Sequence, residues 1–581
     1  AWSFGPCHLY AGGRPAGISR RCASWKFSAL VHRTSFPSAM GDYDQNGYGG
    51  DEPDASYGGD SGLGQGQQSF GRAPADDGQA FLLPDSVKDF VFDLHDSMRR
   101  SQILEELETF YTDTFKTLSD AYFKQSGWPA ATVMSDQCGG DELFLCFYEE
   151  LRLRHAFAST NATTVHDRFA AWANYCRLFD ALLACRDTRL VISAQWAFDI
   201  VHEFVYQFQG FCQFRTQLSH RNAEERALLA ANQDVWAVQN VMSYLHGLAR
   251  VSNIVPILDA RRQNRPATAA GTAGGAAAPA APASPVAAPA PAPSQAHHMM
   301  GYFSLVATSR LQCLLADYGE CLKAVGPLDI LDKAQPLAAT LPAYVSLHMH
   351  MGVSFLMLRR YRDAARAFNE ILVHISRAFK TGQLQRYAAA DHITAQADKM
   401  VALLAIATTL APGLRLDEQI AQTMREANRD KLAKMAEGDE APFRELFSWA
   451  APKFVLHEQQ VRLFVEDVRQ QLAFPQIRSY LKLYTTIGLE KMARFNGMDE
   501  RAFQAALVSM KHKLTQQEWA MSPEMGPLGG KPALALDFNY YVEGDMIHID
   551  EAAKEQRFER FFMSQISKCD NIAQQAARVK V

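Results

Sequence analysis

The hydrophobic period of the chain changes once between residues 477 and 550, from helical spacing to strand spacing, and this change limits the fold more than any other feature. Apolar residues first recur every three to four positions in three short segments, which predicts three helices. After a loop rich in glycine and proline, apolar residues alternate on both sides of a turn, which predicts a β-hairpin. Three helices followed by a hairpin are typical of a winged helix. The helical segments are 477–484, 489–495 and 503–514, and the hairpin covers 534–550.

The predicted hairpin offers a site for protein contact. A strand at the edge of a sheet presents unpaired backbone groups, to which another chain can add a strand. We therefore expect the hairpin to meet a partner protein, with its alternating apolar residues as interface candidates. These residues are Leu536, Phe538, Tyr540, Ile547 and Ile549.

The charge of this region weighs against nucleic acid as its main ligand. Residues 477–519 hold seven basic and four acidic side chains. A nucleic-acid-binding domain normally shows a clearly basic face, because neutralisation of phosphates supplies most of its affinity. Protein contact is therefore the favoured role, while Lys511 and Lys513 on the third predicted helix remain candidates for direct RNA contact.

A helical repeat precedes the predicted winged helix. Small, aromatic and turn residues stand at the relative positions that they occupy in a tetratricopeptide repeat, and they are Gly352, Phe355, Tyr361, Ala364 and Phe368. Part of the pattern occurs 43 residues earlier, where Tyr318 corresponds to Tyr361. The predicted fold class is thus mainly α: a TPR-like solenoid of helical hairpins, then a winged helix with a small hairpin wing, then a C-terminal helix.

Composition divides the chain further. The first 39 residues contain five basic and no acidic side chains, and we expect translation to start at Met40. Large apolar residues are too sparse before residue 84 to offset the entropy of ordering, which predicts disorder. Alanine and proline dominate 263–297, which predicts an extended linker that ends in a solvated His297-His298 loop. The predicted divisions are 1–83 disordered, 84–262 N-terminal helical domain, 263–297 linker, 298–473 repeats, 474–550 winged helix and 551–581 C-terminal helix.

The last predicted helix carries an apolar stripe whose members are spaced by four or three residues. Such a stripe suits a helical bundle formed with partner helices, although packing back onto its own domain is the alternative. The interface candidates on the stripe are Phe558, Phe562, Ile566, Cys569 and Ala573.

No catalytic pattern competes with this interpretation. His348 and His350 have the spacing of two histidines in a metal-dependent isopeptidase motif, but the serine and aspartate that should follow are absent. His202-Glu203 lacks the second histidine of a zinc-protease motif. The ten cysteines form no CxxC pair, which indicates reduced thiols in a cytosolic protein. We therefore expect no catalytic residue, cofactor or metal, and no enzymatic activity.

Size and charge fit a subunit of a larger assembly. The 581 residues carry a net charge of −5, which indicates neither a general nucleic-acid binder nor an acidic solvating protein. The longest apolar run, 400–414, is shorter than the roughly 20 residues of a membrane span. We expect a cytoplasmic protein without a membrane segment.

The order of repeat and winged helix resembles the PCI-domain family, whose domain is shared by the proteasome lid, the signalosome and eukaryotic translation initiation factor 3. Within that family the chain is similar to the L-type subunits of the initiation factor. The segments that carry the similarity are 204–209, 300–306, 477–486, 511–513 and 545–549.

The resemblance implies a noncatalytic scaffold subunit of initiation factor 3, acting in translation initiation. It implies contacts with other PCI-domain subunits of that factor, particularly subunits K and E, and with the small (40S) ribosomal subunit through the complex. Two alternatives stay open: a scaffold subunit of the lid or signalosome, and a winged-helix protein that binds RNA directly.

Overall fold

The computed structural model describes most of the chain between residues 83 and 573. The described ranges are 83–101, 103–123, 127–159, 164–184, 189–263, 293–330, 332, 335–384, 390–412, 414–519, 525–536, 538–551, 562, 565–566, 568–569 and 572–573. The predictions of disorder before residue 83 and of an extended linker over 264–292 lie outside these ranges.

The described chain is mainly helical, with two small sheets near its C-terminal end. It divides into two compact units. The first consists of residues up to 351 together with 375–397 and 452–457, and the second of 352–374, 398–451 and the residues after 457.

The helices of the first unit come from both sides of the linker. They are α1 (Asp85–Asp96), α2 (Leu104–Thr109), α3 (Phe115–Tyr122), α4 (Ala131–Met134), α5 (Glu142–Ser159), α6 (Val165–Ala184), α7 (Ala194–Thr216), α8 (Ala223–Ala231), α9 (Val238–Val251), α10 (Ile254–Gln263), α11 (Gln295–Leu314), α12 (Tyr318–Val325) and α13 (Pro336–Ala339). Three long helices contribute residues to both units: α14 (Leu341–Met357), α15 (Tyr361–Lys380) and α16 (Ala390–Leu410).

The helices of the second unit are shorter, and strands follow and interrupt the last of them. The helices are α17 (Glu418–Ala427), α18 (Arg429–Glu437), α19 (Ala441–Ala450), α20 (His457–Arg469), α21 (Phe474–Leu481), α22 (Leu489–Phe495) and α23 (Glu500–Leu514). The strands are β1 (Thr486–Gly488), β2 (Thr515–Glu518), β3 (Lys531–Leu534), β4 (Phe538–Glu543) and β5 (Met546–Glu551).

Helix α11 belongs to the core of the first unit, although it follows the linker. Its N-cap Ser294 accepts a hydrogen bond from the backbone N–H of His297. The side chain of Gln295 exchanges two hydrogen bonds with the backbone of Ile192, at 2.8 and 2.9 Å. The predicted boundary at residue 297 therefore does not separate compact units, because the helix after the linker packs against α7 and α9.

The prediction of a solvated loop at His297-His298 is wrong. Both residues lie in α11, and His297 is buried. Its Nε2 lies 3.0 Å from the carbonyl oxygen of Leu182, and its Nδ1 lies 2.6 Å from Ser294 Oγ. Polar residues next to the predicted linker favour exposure to solvent, but these hydrogen bonds satisfy the ring nitrogens of His297 inside the core.

The strands form two antiparallel sheets. One has the order β1-β5-β4, and the other pairs β2 with β3. The alternating segment at 534–542 was predicted as one strand, but Ala535 and Leu536 separate β3 from β4. Ala535 N still donates to Leu514 O, next to β2, at 2.8 Å, and the chain joins the other sheet at Phe538. Helix α22 has the predicted bounds, and α23 begins three residues before the predicted segment, with Asp499 at its N-cap position.

A buried arginine holds the loop that connects β2 to β3. Arg360, at the start of α15, donates to Pro527 O at 2.7 Å and to Gly529 O at 2.9 Å. It also pairs with Asp363, whose carboxylate accepts the backbone N–H of Trp519 at 3.1 Å. All of these groups are within the second unit. Because each charge is neutralised and hydrogen-bonded, the pair tolerates burial.

Close approach of two helices requires a glycine in α11. A Cβ atom added to Gly301 would lie 1.9 Å from Ser252 Oγ, at the end of α9, and 3.2 Å from Leu248 O. Because real Cβ atoms do not approach other atoms so closely, a larger residue would push α11 away from α9.

We predict that Gly301→Ala destabilises the protein by about 1 to 3 kcal/mol, the usual cost of overpacking a core. Urea denaturation followed by circular dichroism measures this change. Gly319→Ala is the matched control, because its added Cβ meets only Asp317 Oδ1, at 3.9 Å, within helix α12. Equal denaturation midpoints for both variants would contradict the close packing of α11 on α9.

Candidate interaction surfaces

The predicted interface residues of the hairpin line the inner face of the three-stranded sheet. Phe538 and Tyr540 in β4 and Ile547 in β5 are buried, and Leu536 before β4 is buried as well. The hydroxyl of Tyr540 donates to Leu507 O in α23 at 2.6 Å. Ile549 is half-buried. These side chains hold the sheet against its own helices, so a partner that approached this region would meet other atoms first.

The outer face of the same sheet carries different side chains. Thr486, His548 and Tyr541 lie in register across the three strands, and the rings of Tyr541 and His548 stack 5.0 Å apart. Met546, beside the turn, lies on this face and is exposed, whereas the exposed Val542 is paired with Ile547 and belongs to the other face. Alternation in the sequence predicts that the hairpin has two faces, but it does not show which face packs inward. The apolar face, which we predict to be the interface, packs into the core. The outer face is formed by the residues at the positions between these apolar ones.

Strand β4 lies at one edge of the sheet formed by the described strands. The ammonium group of Lys511 donates to Tyr540 O in this strand at 2.6 Å and lies 5.4 Å from the centre of the Tyr540 ring. Lys511, a candidate for RNA contact, thus caps one carbonyl group of the edge strand.

The other candidate for RNA contact, Lys513, is engaged in a polar cluster. Its Nζ lies 2.6 Å from Asp467 Oδ1, and its side chain is almost fully buried. The second oxygen of Asp467 accepts the hydroxyl of Tyr361 at 3.0 Å, and Gln471 donates to Tyr361 Oη at 3.0 Å. Lys513 therefore neutralises a carboxylate within the second unit, and its role in RNA contact stays a prediction.

The predicted stripe of the C-terminal helix is exposed where the structure describes it. Phe562, Ile566, Cys569 and Ala573 are all exposed, with exposed fractions of 59% for Phe562 and 53% for Ile566. Ile572, which was not among the predicted residues, is exposed as well. Phe558 lies outside the described residues. The stripe stays a candidate for contact with partner helices.

The histidines that were considered as metal ligands are core residues. His348 Nδ1 lies 3.0 Å from Tyr344 O, and His350 Nδ1 lies 2.7 Å from Ser346 O. Both rings are buried. Within the described ranges, no group of three or more His, Cys, Asp or Glu side chains could hold a metal ion.

A buried cation lies beside His350 in the first unit. Arg310 lies 2.8 Å from His202 Nε2 and donates to Gln209 Oε1 at 3.0 Å. Burial lowers the pKa of Arg310 to about 10. Burial first, and then the charge of Arg310, lowers the pKa of His350 to about 3. Burial raises the pKa of the nearby Glu203 to about 7.

The cysteines and helix α16 fit the predicted core. The described cysteines are free thiols, and Cys212 and Cys569 are the two among them that are not buried. Helix α16 has the length and composition of a membrane span, but 56% of its apolar window is buried inside the protein. A buried core helix can have the same length and composition, so α16 is weak evidence for a membrane segment.

The described part of the chain is thus a mainly helical protein with two small C-terminal sheets and candidate surfaces for protein contact. Residues 167–569 match the family described as RNA polymerase I-associated factor PAF67. A protein of Nematostella vectensis named eukaryotic translation initiation factor 3 subunit L is 32% identical over 542 residues, which cover 90% of this chain and 98% of the relative.

Vertebrate relatives with the same name give the same result. The Danio rerio protein is 34% identical over 481 residues, which cover 80% of each chain. The Homo sapiens protein is 33% identical over 484 residues, which cover 80% of this chain and 82% of the relative. The chain belongs to the family of eukaryotic translation initiation factor 3 subunit L.

The pKa of His350 predicts how stability depends on pH. The ordinary pKa of histidine is about 6.5, so between about pH 6.5 and pH 3 the unfolded chain binds a proton here that the folded chain does not. The free energy of unfolding therefore falls as the pH decreases through this window. The variant His350→Asn keeps a donor for Ser346 O but removes the titrating group.

Urea denaturation at about pH 7.5 and about pH 5 measures the effect. We expect the wild type to lose more stability than His350→Asn, by on the order of 1 to 2 kcal/mol. The contribution of Glu203 is present in both proteins and cancels in the comparison. His166→Asn, at an exposed position of α6, controls for the loss of a histidine. Parallel pH profiles of wild type and His350→Asn would contradict the prediction.

Proposed function

We propose that this chain is a noncatalytic scaffold subunit of the eukaryotic translation initiation factor 3 complex and acts in translation initiation on the small ribosomal subunit. The observation that carries the proposal is similarity to proteins named subunit L over nearly the whole chain. A single domain borrowed by another protein would match over part of the length. A lid or signalosome subunit is not favoured, because the similarity extends through the helices before the linker.

Two features of the fold support a repeat architecture. The turns before α12 and α15 have the same design: Ala316 and Arg359 both adopt positive φ, at +66° and +61°. In each turn the backbone N–H of the following residue donates to the carbonyl oxygen five residues earlier, at 2.9 Å. Asp317 donates to Gln312, and Arg360 donates to Phe355. This is the Schellman type of helix end, repeated at the spacing predicted from Tyr318 and Tyr361. We infer that α11–α12 and α14–α15 are successive TPR-like hairpins.

A winged helix is the proposed fold of the region 474–550. Helices α21, α22 and α23 are followed by the β4-β5 hairpin, and β1 between the first two helices joins the same sheet. A winged helix regularly contains a short strand between two of its helices, and this strand pairs with the hairpin. The divisions of the chain at 298–473, for the repeats, and at 551–581, for the C-terminal helix, are likewise proposals.

The proposed contacts with other subunits use the edge of β4 and the exposed C-terminal stripe. The edge offers backbone groups for strand addition, and the apolar stripe offers a surface for a helical bundle. Other PCI-domain subunits, particularly K and E, are the proposed partners, and contact with the 40S subunit is proposed through the complex. Within this proposal the protein is cytoplasmic and performs no catalysis.

The C-terminal stripe supplies the test. We predict that the double variant Phe562→Asp, Ile566→Asp loses at least about ten-fold in recovery of other initiation factor subunits, because two carboxylates would be buried without partners at a bundle interface. The measurement is affinity purification of the full chain from native lysate, followed by quantitative mass spectrometry.

Lys568→Asp is the matched control, since it places a carboxylate in the same tail at an exposed position outside the stripe. The control should co-purify its partners normally. Unchanged recovery with the double variant would refute the role of the stripe, and recovery of lid or signalosome subunits by the wild type would refute the assignment to the initiation factor.

A further inference from the structure

Two side chains occupy the backbone groups at the centre of strand β4. The backbone N–H of Tyr540 donates to Asn539 Oδ1 at 2.9 Å. The carbonyl oxygen of Tyr540 accepts the ammonium group of Lys511 at 2.6 Å. Both hydrogen-bonding groups of this residue are thus satisfied by side chains. We call Lys511 and Asn539 the edge guard.

The register of the sheet shows that these backbone groups point away from it. In an antiparallel ladder, successive residues direct their backbone groups alternately to the two sides. The N–H of Ile549 in β5 donates to the chain that leads into β1, at 2.9 Å. The neighbouring His548 therefore turns its backbone groups toward β4, where its partner is Tyr541. Tyr540 and Val542, on either side of Tyr541, consequently direct their backbone groups outward, along the edge of the sheet.

The two guard residues are unusual for their positions in the sequence and the fold. Asparagine is unfavourable in strands, but its short amide can bond a neighbouring backbone group. Lys511 lies in the last turn of α23, the helix whose Leu507 carbonyl accepts the hydroxyl of Tyr540 at 2.6 Å. The packing of α23 under β4 therefore places the lysine at the edge. A lysine at an edge strand is one of the devices by which natural sheets discourage the addition of strands.

We propose that the edge guard closes β4 to strand addition in the free chain, and that a partner strand pairs there only by displacing Lys511 and Asn539. Such a strand would offer Tyr540 one N–H and one carbonyl oxygen, so the exchange conserves the number of hydrogen bonds at this residue. The step with a partner subunit rests on the proposed function, which uses the same edge.

A second consequence does not depend on the proposed function. In a solution of the pure protein, the strand available to this edge is β4 of a second copy, which would meet it across a two-fold axis. The guard therefore keeps the chain from pairing with itself before it joins an assembly.

Sedimentation velocity of the full-length chain tests the guard. We expect the double variant Lys511→Met, Asn539→Ala to raise the self-association constant at least about ten-fold over the wild type, because two competing hydrogen bonds are lost. Adding Val542→Pro should return the constant to that of the wild type. Proline removes the outward N–H of Val542 and leaves the bonds between β4 and β5 in place.

Lys434→Met is the matched control, because it places a methionine at an exposed position of α18. It should associate like the wild type, and thermal unfolding verifies that every variant is folded. Equal self-association of the guard variant and the wild type would overturn the proposal. An increase that Val542→Pro leaves in place would also overturn it, since the contact would then lie elsewhere.

Affinity purification from native lysate tests the displacement step. The guard variant should recover at least as much of the other initiation factor subunits as the wild type, because its edge is already open. Reduced recovery would overturn displacement and assign Lys511 or Asn539 to direct contact with a partner. Absence of these subunits from the wild-type sample would refute the proposed function instead, while sedimentation would still decide the role of the guard.

Discussion

The buried guanidinium of Arg360 is the contact on which the arrangement of the second unit most depends. It joins the first turn of α15 to three consecutive carbonyl groups, those of Pro527, Leu528 and Gly529. Its counter-ion Asp363 is nearly inaccessible and also accepts the backbone N–H of Trp519. Removing one partner of such a buried pair typically costs about 3 to 5 kcal/mol, because the other charge is left without compensation. The loop between β2 and β3 thus has its position specified by charge as well as by packing.

A polar cluster of this kind also explains why Lys513 of α23 is almost fully buried. Lys513 neutralises Asp467, which in turn accepts the hydroxyl of Tyr361, the residue that marks the repeat. The third helix of the proposed winged helix is therefore connected to α15 and α20 through side chains that a nucleic-acid-binding domain would present to phosphates. These contacts favour attachment within the protein, whereas the outer sheet face and the C-terminal stripe include exposed side chains.

Local patterns predicted the last three helices, α21, α22 and α23, because the information for each lies within its own segment. Helix α22 has a clear stripe and ends before Asn496-Gly497, and α23 begins after Asp499. Strands β1 and β2 were not predicted. Each is three or four residues long, and each exists because it pairs with a distant strand, β1 with β5 and β2 with β3. No local signal reports such pairing.

The candidate sites were predicted less completely than the fold. Period-two alternation separates the faces of a hairpin, but burial decides which face meets a partner, and burial depends on α23 packing against Tyr540. Composition likewise cannot show that a helix after a linker returns to the unit before it. For His297 the deciding contact is the carbonyl group of Leu182, 115 residues earlier. In the C-terminal tail, by contrast, the predicted stripe and the observed exposure agree for the residues that are described.

The return of α11 to the first unit has a practical consequence. Helix α10 ends at Gln263 and α11 begins at Gln295, and the two helices pack together, so both ends of the intervening segment are anchored in the same body. The entropy of closing such a loop grows only with the logarithm of its length. The segment is therefore a suitable place to insert a fluorescent protein or an affinity tag, which would label the assembled complex without occupying the C-terminal surfaces.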